Sequence, residues 1–260
     1  MKTTVINVVT YVVAFLLIQL AFTTVAVFIP PFSNGNGGLN ATGLIVSMAV
    51  SSVAAFAVFL WLRWAVVSPT YLRSRPWAVF FWCVLASLGA IIPSVWVQEQ
   101  MPELPNIASD TFDMILRDRW GYLIIGLMVP LVEEMVFRGA VLRELLLRSP
   151  QRHWPAIAVS ALIFAVIHGN PVQMPHAFVV GLLIGWMYWR TRSILPGVIY
   201  HWVNNTVAYV LYNLYPNPEM HLVDLFGGQQ RPVYMALGFS LLILLPALYQ
   251  LWLRLRPADE

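Results

Sequence analysis

Charge is scarce in this sequence. Asp, Glu, Lys and Arg make up only 10% of its 260 residues, against 59% hydrophobic, where a soluble domain carries roughly 25% charged residues. That shortage excludes an ordinary soluble domain, and a net charge of only +3 does not point to nucleic acid. Cysteine is almost missing as well. Cys83 stands alone in an apolar run, which rules out an internal disulfide and any cysteine-based metal centre. No serine nucleophile elbow and no HExxH pattern occurs. No internal repeat is evident, which weighs against transporters built from inverted repeats.

What is present in quantity is apolar sequence in long runs. Eight segments are long enough, or nearly so, to span a bilayer: about 4–30, 41–67, 77–97, 120–147, 154–169, 174–190, 194–214 and 232–253. The first run continues from Thr4 to Ile29 with no obvious cleavage site. A signal peptide has an apolar core of about 7–15 residues, so the run reads as a retained span. The expectation is an all-α, polytopic transmembrane bundle of about eight spans, with residues 1–260 forming a single integral membrane domain.

The few charges set an orientation. Lys2, Arg63, Arg73, Arg75, Arg143, Arg148, Arg152, Arg190, Arg192, Arg254 and Arg256 fall on one side. Only Arg117, Arg119 and Arg231 fall on the other, and Arg138 lies within a span. The positive-inside rule then predicts both termini in the cytoplasm, and the cell membrane as the location. Between spans, Ser109–Arg117 reads as a short interfacial helix that Ser109 or Asp110 caps. Residues 215–231, with Pro216, Pro218, Gly227 and Gly228, read as an irregular outer loop.

One span breaks the apolar rule. Glu133 and Glu134 sit with Arg138 inside it, and charge within a bilayer is expensive enough to imply a task. Neighbours on a helix point about 100° apart. Glu134 and Arg138 are i and i+4 with the acid first, the favourable order for an ion pair. Glu133 faces elsewhere and needs a partner from another helix. Two later clusters offer one: His168, and His201 with Asn205 at i and i+4.

At about 1.5 Å per residue, Glu133 and His168 each lie roughly 22 Å from the basic end of their helices. His201 and Asn205 lie roughly 14 and 20 Å deep. The four are expected to converge on one water-accessible cavity. Such a set suits hydrolysis. Glu133 can act as general base on water, with a histidine to orient the water or shuttle its proton. His201 and Asn205 donors can stabilise an oxyanion. Two histidines and a carboxylate (His168, His201 and Glu133) also match a zinc donor set. A proton relay in a proton-coupled transporter would use similar residues, and a non-catalytic immunity or chaperone protein would keep the fold alone. Phe164, Tyr200 and Trp202 read as packing, and Asn204 as a helix–helix hydrogen bonder. His176 reads as a residue of the outer mouth, and His153 and His221 as bystanders.

Three spaced motifs carry a resemblance: Glu133-Glu134-x-x-x-Arg138, Phe164-x-x-x-His168 and His201-x-x-x-Asn205, together with the turn Arg190–Gly197 that precedes the last of them. Together they resemble the CAAX protease and bacteriocin-processing (CPBP, or Abi) family of intramembrane endopeptidases, over a core of about 120–213. The resemblance implies Glu133 as the residue that activates water and His168 as its partner. It implies His201 and Asn205 at the oxyanion, and Glu134 with Arg138 as structural support. The family is classed with the metallopeptidases, but a metal-free mechanism suits Asn205, a poor zinc ligand and a good oxyanion donor. No cofactor is therefore favoured, with zinc as the alternative. The implied partners are a membrane-associated peptide or protein substrate, prenylated or a leader peptide, and the lipid bilayer. The oligomeric state is not legible.

Overall fold

In the computed structural model of the chain the described residues are 2–66, 69–148, 151–215 and 220–256. They are all-α, with no β-strand among them. Four helices are long and apolar enough to cross a membrane: Lys2–Val27, Ala41–Trp61, Trp77–Glu99 and Gln230–Arg254. The first is apolar all round. Val5, Ile6, Val9, Leu17 and Leu20 are exposed along it, as expected of side chains that meet lipid rather than a polar solvent. The other four expected segments are helical as well, over the stretch 123–148 and the helices His153–Ile167, Met174–Thr191 and Leu195–Leu214, but they do not reach the length and hydropathy of the first four.

The chain divides into two compact units. The first comprises Met1–Val67 and Ala108–Ser160, the second Ser68–Ile107 and Ala161–Glu260. In the first unit, Lys2–Val27 packs along Ala41–Trp61, and both touch the stretch 123–148. Asn40 Oδ1 accepts from Gly43 N at 2.9 Å and caps the second helix. Phe15 meets Phe137 edge to face with centroids 5.8 Å apart, a favoured aromatic geometry.

Ser109–Leu116 forms the short helix expected before the glutamate span, but not with the expected cap. Ala108 occupies the cap position and makes no side-chain cap bond. Ser109 and Asp110 already lie inside the first turn, and Ser109 Oγ donates to Asp110 Oδ1. A side chain within the helix cannot stand in front of the first free N–H groups, which is where a cap must be.

The second unit is built on the helix pair Trp77–Glu99 and Gln230–Arg254. Its core joins Val79, Cys83 and Ala86 to Val180, Ile184, Met187, Tyr200, Ala247 and Leu251. Small residues such as Ala86 and Ala247 let apolar helices approach closely, the packing that holds helices together where lipid is as apolar as the side chains. The outer loop is less irregular than expected. Residues 216–219, with Pro216 and Pro218, lie outside the described residues, but Leu222–Leu225 forms a helical turn. Its start is fixed by His221 N donating to Asp224 Oδ2 at 2.8 Å and Leu222 N donating to Glu99 Oε1 at 2.6 Å.

Candidate active site

The glutamates sit on an unusual helix. Stretch 123–148 alternates its winding: π-helical over Leu123–Met128, α-helical over Val129–Glu134, π-helical over Met135–Leu142 and α-helical over Arg143–Arg148. Val129 N–H donates to Ile124 O and Arg143 N–H to Arg138 O, each five residues back. Pro130 supplies one physical cause, because it has no N–H to complete an i→i−4 bond. Wider winding leaves carbonyls to satisfy in other ways. Ser160 Oγ meets one of them, donating to Phe137 O at 3.0 Å. π-helical insertions are frequent at functional sites.

The two glutamates differ as their helix faces require. Glu134 is fully buried and Arg138 is 1% exposed. Arg138 Nη1 donates to Glu134 Oε1 at 2.8 Å, so the ion pair that the i, i+4 spacing predicts is formed. Glu133 is half-buried, and the Arg138 charge acts on it as well as on Glu134.

The histidines gather in the second unit. The helix His153–Ile167 ends immediately before His168. His168 N turns back to Ala165 O at 3.3 Å, and His168 Nδ1 lies 2.8 Å from Phe164 O. A carbonyl oxygen only accepts. Nδ1 therefore carries the hydrogen, and in the neutral ring Nε2 presents the lone pair. Gly169 follows at φ +63°, the left-handed turn that glycine adopts most readily after a helix. The turn beyond is tied down. Buried Asn170 accepts from Ile107 N at 3.1 Å and donates to Asn106 Oδ1 at 2.9 Å, and Gln98 Nε2 donates to Val172 O at 3.2 Å.

Phe164 is more than packing beside one histidine. Its ring meets His168 at 4.8 Å and His201 at 5.9 Å between centroids, both edge to face. One buried aromatic thus touches both imidazoles edge to face. His176 also joins this group. It interacts with His168 and His201 and hydrogen-bonds the Asn204 side chain, making the interhelical bond expected of Asn204. Asn204 Nδ2 donates to Asn205 Oδ1 at 3.3 Å. The places of Phe164 and His176 were not legible as site positions. The only signals were the i, i+4 spacing of Phe164 and His168, and a histidine at the start of an apolar helix.

Gly181 makes this arrangement possible. A Cβ there would stand 2.9 Å from Ala161 Cβ and 3.4 Å from Phe164 Cδ1, so the Met174–Thr191 helix can approach the Phe164 helix only as glycine. Gly181→Ala is expected to cost about 1–3 kcal/mol of stability. It should also lower activity through displacement of Phe164. Gly238→Ala, where nothing lies within 4 Å, is the matched control. Equal melting temperatures and activities for the two variants would contradict this account.

Within neither unit taken alone do three His, Cys, Asp or Glu side chains gather closely enough to hold a metal ion, among the described residues. Of His168, His176 and His201, His168 has its Nδ1 committed to Phe164 O and His176 bonds the Asn204 side chain. Glu133, Glu134 and Arg138 lie in the first unit, and His168, His176, His201, Asn204 and Asn205 in the second.

No curated protein and no solved structure matches the chain significantly. A family does match: Rce1-like, described as type II CAAX prenyl endopeptidase Rce1-like, over residues 116–207. That range contains both glutamates, Arg138, Phe164, His168, His201 and Asn205. Residues 116–207 of this integral membrane chain match that family, and the three motifs that resemble the CAAX protease and bacteriocin-processing family all fall within the match.

Proposed function

We propose that the chain is an intramembrane endopeptidase that hydrolyses peptide bonds of membrane-associated substrates with water activated by Glu133. In this reading both units form one integral domain of about eight spans, in the cell membrane with cytoplasmic termini. The observation that carries the proposal is the Rce1-like match over 116–207, combined with the distinct settings of the two glutamates. Glu134 is held in a buried ion pair, which leaves the half-buried Glu133 as the carboxylate suited to proton transfer.

Glu133 takes a proton from water as the water oxygen adds to the peptide carbonyl carbon. His168, with Nε2 as its acceptor face, orients that water. His201 and Asn205 donate to the oxyanion. Collapse of the tetrahedral intermediate breaks the C–N bond, and the proton held by Glu133 passes to the leaving amine. Phe164, His176 and Asn204 position the groups that react.

Cleavage profiling of membrane-embedded substrates by the wild-type chain against Glu133→Gln tests the assignment. Asn205→Ala tests the oxyanion role separately and is expected to lower kcat by about 10²–10³-fold. Metal dependence is a further test. Strong chelators should leave purified enzyme active. Stoichiometric zinc in active protein, lost together with activity in His168→Ala, would replace the metal-free scheme with zinc held by Glu133, His168 and His201.

A further inference from the structure

A second polar feature of the second unit lies apart from the histidines. The helices Met174–Thr191 and Gln230–Arg254 end beside each other, and a cavity of about 390 Å³ opens there, lined by Trp189, Arg190, Arg192, Leu255 and Arg256. That volume falls within the range of small-molecule sites. Three of the five lining residues are arginines, and no acidic side chain lines the cavity among the described residues.

The bland explanation is that basic residues compensate the carbonyl ends of helices. Its clearest case is Arg190. Arg190 Nε donates to Leu255 O at 3.0 Å and Nη2 to Trp252 O at 3.1 Å, which satisfies carbonyls that the end of the last helix leaves open. Those bonds also hold the Arg190 fork still, with its guanidinium 6.0 Å from the Trp189 ring centre. Arg192 and Arg256 are different. Arg192 lies past the end of its helix in the left-handed conformation at φ 56°. Arg256 lies past the end of the other, and both are exposed. Both line the cavity that Arg190 lines.

Three like charges in one cavity repel one another unless an anion joins them. Guanidinium groups match the paired oxygens of a phosphate, donating two parallel N–H bonds to it. An indole beside them fits the headgroup level of a bilayer. Basic pockets between helices are suited to phospholipid headgroups.

We propose that this cavity is a phosphate-binding site, with Arg190 as its fixed donor and Arg192 and Arg256 as its closing donors. The phosphate belongs either to the headgroup of an anionic phospholipid or to a soluble anion.

The experiment uses the full chain, with Asp259 and Glu260 in place, in phosphatidylcholine nanodiscs carrying graded phosphatidylglycerol. Lipid that stays bound after release is counted by native mass spectrometry, and inorganic phosphate is titrated in a parallel series. Arg192→Gln/Arg256→Gln is the test variant, because Arg190 also supports the fold. Arg73→Gln/Arg75→Gln removes equal charge elsewhere and is the control.

Phosphatidylglycerol should be retained over phosphatidylcholine, and the test variant should weaken retention well beyond the roughly thirtyfold that diffuse attraction of two basic side chains supplies. The control should lose no more than that diffuse share. Binding of inorganic phosphate that the test variant abolishes, without lipid preference, would assign the site to a soluble anion. Equal retention of both lipids with no phosphate binding would overturn the proposal. So would equal losses in test and control variants, which would mean diffuse charge rather than a site.

Discussion

Glu133→Gln is expected to lower kcat for peptide cleavage by about 10²–10⁴-fold, the usual contribution of a general base, while the fold survives. Glutamine keeps the shape of the side chain and removes only the capacity to take a proton. The substitution lies at a half-buried position of the α-helical turn Val129–Glu134, so no buried charge is stranded and no cavity opens. The loss should appear in kcat with little change in KM, as for an interaction made in the transition state. Melting in detergent should stay close to wild type. Wild-type cleavage by a well-folded Glu133→Gln protein would remove Glu133 from the chemistry. Solute flux that depended on Glu133, with no peptide cut by either protein, would point instead to a proton-coupled transporter.

The neighbouring residue should behave in the opposite way. Glu134→Ala or Arg138→Met is expected to destabilise the protein by about 3–5 kcal/mol, because each strands the partner's charge where no water reaches it. The pair has 0% and 1% side-chain exposure with a 2.8 Å contact. The double variant Glu134→Leu/Arg138→Met removes both charges and should recover much of the loss, since an apolar pair of similar volume often replaces a buried ion pair without penalty. Unfolding midpoints of the two single variants and the double variant, read as a cycle, measure the coupling. Purely additive losses would show that the pair contributes nothing beyond its separate side chains. Turnover per folded molecule should fall far less than in Glu133→Gln. Two adjacent glutamates thus separate into one whose loss is read in turnover and one whose loss is read in stability.

That separation was legible before any coordinates. Residues one apart point to different sides of a helix, and residues four apart share one. The Glu134–Arg138 bond follows from that local geometry alone and forms although the next stretch is π-wound. Apolar run length likewise located the four long helices, because span length is set by bilayer thickness and not by neighbours.

Other features depended on contacts between distant segments. The π winding around the glutamates reflects Pro130 together with a carbonyl at Phe137 that Ser160 satisfies from 23 residues away, and no periodicity in the apolar run announces it. The missing cap of Ser109–Leu116 shows the same limit at small scale, since a shift of one residue moves a serine from in front of a helix to inside it. His176 read as a residue of an outer mouth. It stands with His168 and His201 because the Met174–Thr191 helix can press against the Phe164 helix at Gly181. By itself, then, the sequence determined the membrane setting, the long helices, the motif residues and the buried ion pair, all of which follow from composition and from spacing along one helix. Tertiary structure alone decided the π-wound turns, the grouping of His176 and His201 with His168 around Phe164, and the arginine-lined cavity, because each is held by groups far apart in the chain that only packing brings within hydrogen-bonding or van der Waals reach.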